Sequence, residues 1–101
     1  MHYRRLKDLP EDLKPRERLY RYGSEILSDK EILAILLRTG SKGENVLELA
    51  ERILAETGGV KGLSGLSVYE LEQVRGIGQA KAAQVKAALE LGKRSVCADP
   101  R

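Results

Sequence analysis

The chain has 101 residues, 42% hydrophobic and 33% charged, which is material for one domain with one modest core and too little for two. Eighteen Lys and Arg against fifteen Asp and Glu leave a formal net charge of +3, so global charge selects no partner by itself. A lone cysteine, Cys97, excludes an internal disulfide, and the longest apolar run, Ile32 to Leu37, is too short to cross a bilayer.

Met1-His2-Tyr3-Arg4-Arg5 is basic but leads into charged residues and Pro10 rather than an apolar stretch, so it does not read as a secretory signal. The expectation is a soluble protein of a reducing cytoplasm. Residues 1–14 mix charges with Pro10 and show no sustained period, and are expected to be an arm ordered only by packing elsewhere.

From residue 15 to 94 the pattern predicts helices throughout. Pro15 suits a first helical position, and a short helix through Tyr22 closes at Gly23. Ser28 followed by Glu31 is a capping-box pattern; Ile32, Leu33, Ile35, Leu36 and Leu37 follow at once and Gly40 ends the turn. Apolar on nearly every side, this helix is expected at the buried centre of the domain. From Glu44 to Thr57, Val46, Leu47, Ala50, Ile53 and Leu54 keep helical spacing, with Glu48 and Arg52 expected to pair four residues apart on the wet side. Gly58-Gly59 ends that helix, and residues 60–66 leave room for at most one turn. Ser67 and Glu70 repeat the capping box ahead of Leu71 and Val74. Gly76-Ile77-Gly78 interrupts, and Gln79 to Arg94 reads as a long Ala-rich helix. Its Ala82, Val85 and Leu89 line one side and Ala80, Ala83, Ala87 and Leu91 another, which predicts packing from two directions. Residues 95–101 are expected to start a linker. With no segment at strand period, the class is all-α.

The stretch from Leu71 to Gly78, followed by Ala82 and Val85, has the layout of a helix-hairpin-helix over residues 68–94. Leu71 and Val74 face inward, Ile77 plugs the gap, and Ala82 is small enough for close crossing. Gly76 and Gly78 leave the backbone uncovered, so amides at the start of the second helix can face an anion. A phosphate there meets those amides and the helix dipole, a grip that reads no bases. The residues assigned to it are Arg75, Gly76, Ile77, Gly78, Gln79, Lys81 and Lys86, with Lys93 and Arg94 further along. A glycine turn between helices is needed sterically whether or not anything binds it, and such units also serve as protein-docking platforms. The charge distribution favours phosphate: residues 75–94 hold five basic residues against one acidic, whereas residues 28–74 hold five against eight. Residues 29–57 read as a degenerate copy of the unit, its loop Thr39-Gly40-Ser41-Lys42-Gly43 longer and its second helix acidic. The copy is expected to be structural, with Lys42 at best a marginal phosphate contact.

Asp8-Leu9-Pro10-Glu11-Asp12, Pro15-Arg16-Glu17-Arg18-Leu19, Tyr22-Gly23, Leu27-Ser28-Asp29, Leu33-Ala34-Ile35-Leu36-Leu37-Arg38-Thr39-Gly40 and Gly76-Ile77-Gly78 together resemble the N-terminal region of the RadC family. The likeness covers roughly residues 6 to 94. It implies a bacterial protein historically labelled a DNA repair protein, in which this helical domain precedes a JAB-type domain similar to zinc-dependent hydrolases, with a His-x-His, Ser and Asp constellation. None of that constellation lies in this sequence, so the chain is expected to be a truncated part of such a protein and not itself an enzyme. His2 and Cys97 fall short of a metal-ligand count, and no cofactor is expected. Arg16, Arg18, Tyr20, Arg21 and Tyr22 interleave cations with aromatics, a pattern able to stack on an unpaired base; the plainer reading packs one tyrosine inward and solvates the arginines beside Glu17 and Glu25. The sequence thus points to an accessory domain that grips DNA by its phosphates and positions a tethered JAB-type domain. The alternative is a docking or structural domain for that same hydrolase, and neither reading places the chain at a membrane.

Overall fold

The computed structural model describes residues 14–97; the expected arm up to Leu13, His2 within it, and the end of the expected linker from Ala98 lie outside the described residues. Six α-helices follow one another: α1 Pro15–Tyr22, α2 Asp29–Leu37, α3 Val46–Thr57, α4 Gly59–Ser64, α5 Val68–Glu72 and α6 Gln79–Cys97, with a short 3-10 turn at Ser24–Ile26. Among the described residues there is no strand, only an isolated bridge between Ser41 and Glu44. The architecture is all-α.

The helix boundaries follow local chemistry. Pro15 opens α1, and Gly23, at φ 88°, closes it by donating its N–H to the Leu19 carbonyl at 3.0 Å. Both predicted capping boxes form: the Ser28 amide donates to Glu31 Oε1 at 2.9 Å, and the Ser67 amide to Glu70 Oε1 at 2.8 Å. A third box was not foreseen. Asn45 caps α3, and its partner is Glu48, whose Oε1 accepts from the Asn45 amide at 3.1 Å. Glu48 is therefore not the partner of Arg52, contrary to the four-apart pairing read from the sequence. The end of α2 also differs from expectation. It stops at Arg38, which takes φ 71° as the amide of Thr39 bonds back to Leu37 O at 2.8 Å. Gly40 serves another purpose: a Cβ there would lie 2.2 Å from Glu44 O. α4 has six residues, slightly more than the single turn expected, and α6 runs three residues past Arg94.

The core joins Leu33, Ala34 and Leu37 of α2 to Val46, Leu49, Ala50 and Ile53 of α3, and is completed by Leu63, Leu71, Ile77, Ala82 and Val85. α2 packs most extensively on α3, and α6 lies against α2 and α5. The core centre is thus the α2–α3 seam rather than α2 alone: Ile32 is 41% exposed, and Ile35 and Leu36 are half-buried. α6 is packed from one side only. Ala82 and Val85 are buried, but Ala80, Ala83 and Ala87 are exposed and Leu91 is 70% exposed, so the second buried face expected for this helix is absent from the described fold.

α1 is fastened to α2 by Arg18, whose Nε donates to Glu31 Oε2 at 2.7 Å while its guanidinium sits 5.7 Å from the Tyr22 ring centroid. Burial alone would raise the Glu31 pKa, but bonds from the Ser28 amide and hydroxyl and from Arg18 outweigh it and hold the carboxyl below its usual range. Neither tyrosine of α1 is the inward anchor expected: Tyr20 and Tyr22 are both exposed, and it is Arg18 that turns toward the domain. Among the described residues no helix is long and apolar enough to cross a membrane.

Leu49 is fully buried between α3 and the second turn. Leu49→Ala is expected to cost about 2–5 kcal/mol of unfolding free energy, measured by urea titration.

Candidate nucleic-acid interface

The turn between α5 and α6 is tight. Val74 N–H bonds to Leu71 O at 3.1 Å and Ile77 N–H to Val74 O at 3.0 Å, while the Ile77 side chain, 4% exposed, enters the core as the predicted plug. The next backbone amide to find a carbonyl is that of Ala82, which donates to Gly78 O at 2.9 Å. Among the described residues, no backbone carbonyl accepts from the amides of Gly78, Gln79, Ala80 or Lys81. These are the orphan donors of a helix start, and the α6 dipole adds partial positive charge at the same place. Gly78 and Gln79 are exposed, and nothing lies within 4 Å of where a Gly78 Cβ would be.

The two glycines of the turn have opposite surroundings. Gly76, at φ 94°, presses on the first helix pair: an added Cβ would lie 2.7 Å from Leu49 Cδ1, 3.0 Å from Arg52 Nη2 and 3.3 Å from Ser41 Cβ. Only the Gly78 side of the expected bare main chain is open, since the Gly76 side is covered and the Ile77 amide is occupied.

Arg52 makes that contact a clamp. Its Nε and Nη2 donate to the two carboxylate oxygens of Glu44 at 2.7 and 2.9 Å, Nη1 donates to Glu56 at 3.2 Å, and Nη2 also reaches the carbonyl of Arg75 at 2.6 Å. The Ser41 hydroxyl adds a 2.7 Å bond to Glu44. The Arg52 guanidinium, followed by the Ser41 hydroxyl, holds the Glu44 carboxyl at a pKa of about 2, and the same pairing raises that of Arg52. The first loop is consequently not remote from the second turn but lies edge to edge with it.

This adjacency separates the lysines assigned from sequence. Lys81 Nζ donates to the Thr39 hydroxyl across the junction at 2.8 Å, a neutral partner that leaves the ammonium charge uncompensated. Lys86 follows five residues later, roughly 140° around the helix. Its ammonium donates to Leu66 O at 2.7 Å and Ser64 O at 3.1 Å, capping the end of α4. The structure therefore keeps Gly78, Gln79 and Lys81 at one exposed helix start, leaves Arg75 exposed on the preceding turn with its charge acting on Glu44, and sets Lys86 apart. Arg94 pairs with Glu90 at 2.9 Å, and Arg18 is held by Glu31. Arg38 and Lys42, on the first loop, are exposed. Among the described residues no carboxylate is within ion-pairing distance of Arg38, Lys42, Arg75 or Lys81. Sequence reading missed Arg52 and Arg38 because their roles arise from contacts spanning the two helix pairs; the only signal was the run Arg38-Thr39-Gly40 itself.

Gly76→Ala is expected to destabilise the fold by more than about 2 kcal/mol, having both an unfavourable φ and no space, whereas Gly78→Ala should stay within about 1 kcal/mol; urea unfolding of both variants compares them. Glu44 has a depressed folded pKa, so its contribution is fully present above the unfolded value near 4.5 and is lost as pH falls toward 2. Glu44→Gln should therefore lower the melting temperature at pH 6, and the gap to the parent protein should close between pH 4.5 and pH 2.5 in a thermal-melt series.

The sequence matches a family model described as UPF0758 N-terminal over residues 6–83. A UPF0758 protein of Desulfitobacterium hafniense is 68% identical over 99% of this chain, and that stretch is 44% of the relative's own length. A UPF0758 protein of Clostridium acetobutylicum is 56% identical over 89% of the chain and 39% of its own length; one from Clostridium botulinum strain Hall is 49% identical over 89% and 40%. The chain thus spans less than half the length of the curated relatives it matches. No solved structure matches it. A model covering most of the chain and relatives this similar along nearly all of it show that the chain belongs to the UPF0758 family, in the N-terminal region of those proteins.

Proposed function

We propose that this domain is a nucleic-acid-binding module without base specificity, in which α5, the glycine turn and α6 act as a helix-hairpin-helix that grips DNA phosphates. The reading rests on one observation above all: the unbonded first-turn amides from Gly78 to Lys81 lie at an exposed helix start with Lys81 and Arg75, cations that form no ion pair among the described residues. A phosphate oxygen accepting from those N–H groups is stabilised by the α6 dipole and by the Lys81 ammonium, which keeps two N–H donors beyond Thr39. The exposed Gln79 amide supplies a further donor at the rim. Arg75 on one loop and Arg38 and Lys42 on the other extend positive potential along the junction, so a backbone running over both turns meets cations on either side. Backbone amides and lysines at this spacing contact phosphates and not base edges, hence the absence of sequence reading. Lys86, committed to the α4 carbonyls, is left out of the grip. In the longer RadC-like protein the module localises or orients a tethered JAB-type hydrolase domain.

With two to four phosphates neutralised, the dissociation constant should fall on the order of 10⁻⁴ to 10⁻⁶ M, and log affinity should decline against log salt with a slope of about −2 to −4. Fluorescence anisotropy with a short labelled duplex at 50 and 200 mM salt, as roughly spaced points on that line, measures both. Lys81→Glu should weaken binding at least about tenfold at low salt and flatten the slope by about one. Lys93→Glu, twelve residues or roughly 18 Å further along α6, should change affinity by less than about threefold. No binding at low salt, or equal affinity for Lys81→Glu and the parent, would leave the turn a structural element and the domain a docking or spacing unit.

A further inference from the structure

α6 is the longest helix and the least covered. Ala82 and Val85 are buried and Leu89 packs against the core. Helical geometry places Val96 on the same line, within about 60° of those three positions. Val96 is nevertheless 85% exposed, and every residue of α6 from Leu91 onward faces solvent. A stripe that is core at one end meets solvent at the other, because the helix outruns the globule by about two turns. Between this overhang and the end of α4 lies an open groove whose lining includes Lys86, Leu89, Glu90, Gly92, Lys93 and Val96. Lys86 already serves the α4 carbonyls, and Arg94 is paired with Glu90. Lys93 forms no ion pair among the described residues, although its charge joins Arg94 in holding the Glu90 carboxyl below its usual range.

The comparisons show how much further chain such a protein carries. The matched model is an N-terminal one, and the chain spans 44% of the Desulfitobacterium hafniense relative, so the larger part of such a protein follows this region and is tethered to the end of α6. A tethered segment meets a nearby surface at high effective concentration, so a small apolar patch suffices to hold it. Two overhanging turns of helix, by contrast, gain little stability in water by themselves. We propose that in full-length UPF0758 proteins the segment following α6 folds back onto this groove, setting apolar side chains against Leu89, Gly92 and Val96 and a carboxylate against Lys93. α6 then becomes a strut shared by both halves of the protein. The proposal is independent of the nucleic-acid reading, since the groove lies at the opposite end of α6 from Gly78.

The test uses a full-length UPF0758 protein carrying this domain. Amide hydrogen exchange should show residues 91–97 protected by at least about 100-fold over the unstructured rate, and Val96→Asp should abolish that protection. Leu91→Asp, on the opposite side of the helix, should leave it intact, and neither substitution should alter duplex affinity. Calorimetry of Val96→Asp should still show cooperative unfolding of this domain, so that a misfolded variant is recognised; Lys93→Glu, which leaves the apolar contact in place, should reduce protection by about threefold to tenfold. Exchange of residues 91–97 at near-unstructured rates in the parent protein would overturn the proposal. So would protection that disappears on dilution, which would identify a second copy as the occupant, or protection lost with Leu91→Asp and kept with Val96→Asp.

Discussion

One guanidinium holds the two halves of this domain in register. Arg52 spends its donors on Glu44 of the first loop, on Glu56 one turn further along its own helix, and on the carbonyl of Arg75 in the second turn. The planar fork of arginine suits this, since separate N–H groups reach a carboxylate and a carbonyl without a change of rotamer. The contact closes only because residue 76 has no side chain. A methyl group there would meet Leu49 and Arg52, and the loops would have to separate. Glycine at 76 and arginine at 52 are two parts of one constraint, and the relative placement of every surface cation near the turns depends on it.

The same constraint sorts charge. Glu44, the sole acidic residue in the two loops, is consumed by Arg52 and Ser41, and Glu48 and Glu56 are likewise engaged by Asn45 and Arg52. Three cations on the loops, Arg38, Lys42 and Arg75, and Lys81 in the first turn of α6 form no ion pair among the described residues. The acidic residues nearest the loop junction, Glu44, Glu48 and Glu56, are thus held by internal donors while the neighbouring cations face out. An anion approaching Gly78 meets a helix start, a lysine steadied by a threonine and a flanking arginine. Neither cation forms an ion pair among the described residues, although the Arg75 charge contributes to the low pKa of Glu44.

Along α6 the division of labour is by length. Its first turn offers unbonded amides, its middle carries the core contacts of Ala82 and Val85, and its final turns project beyond the packed region. A rigid 19-residue helix connects these three environments over about 28 Å. Whatever engages one end is mechanically linked to the other, a geometry suited to a module that holds a larger neighbour in place.

Local patterns were legible from residues alone. Pro15 and Gly23 bound α1, the Ser28–Glu31 and Ser67–Glu70 boxes open α2 and α5, and the helix-hairpin-helix layout of Leu71, Ile77, Ala82 and Val85 named core positions correctly, because caps and short motifs are set within a few residues of chain. Side-chain partners across the fold were not legible. The sequence offered Glu48 to Arg52 at helical spacing, but the Asn45 cap claimed Glu48 and a loop carboxylate eight residues earlier claimed Arg52. It presented Lys81 and Lys86 as equivalent cations, while packing turned one toward a hydroxyl at the loop junction and the other onto the α4 carbonyls. It gave α6 two apolar faces but could not count the neighbours available to cover them. Helix propensity and capping are local free energies written into adjacent residues, whereas the choice among competing acceptors belongs to distances that exist only once the chain has closed on itself.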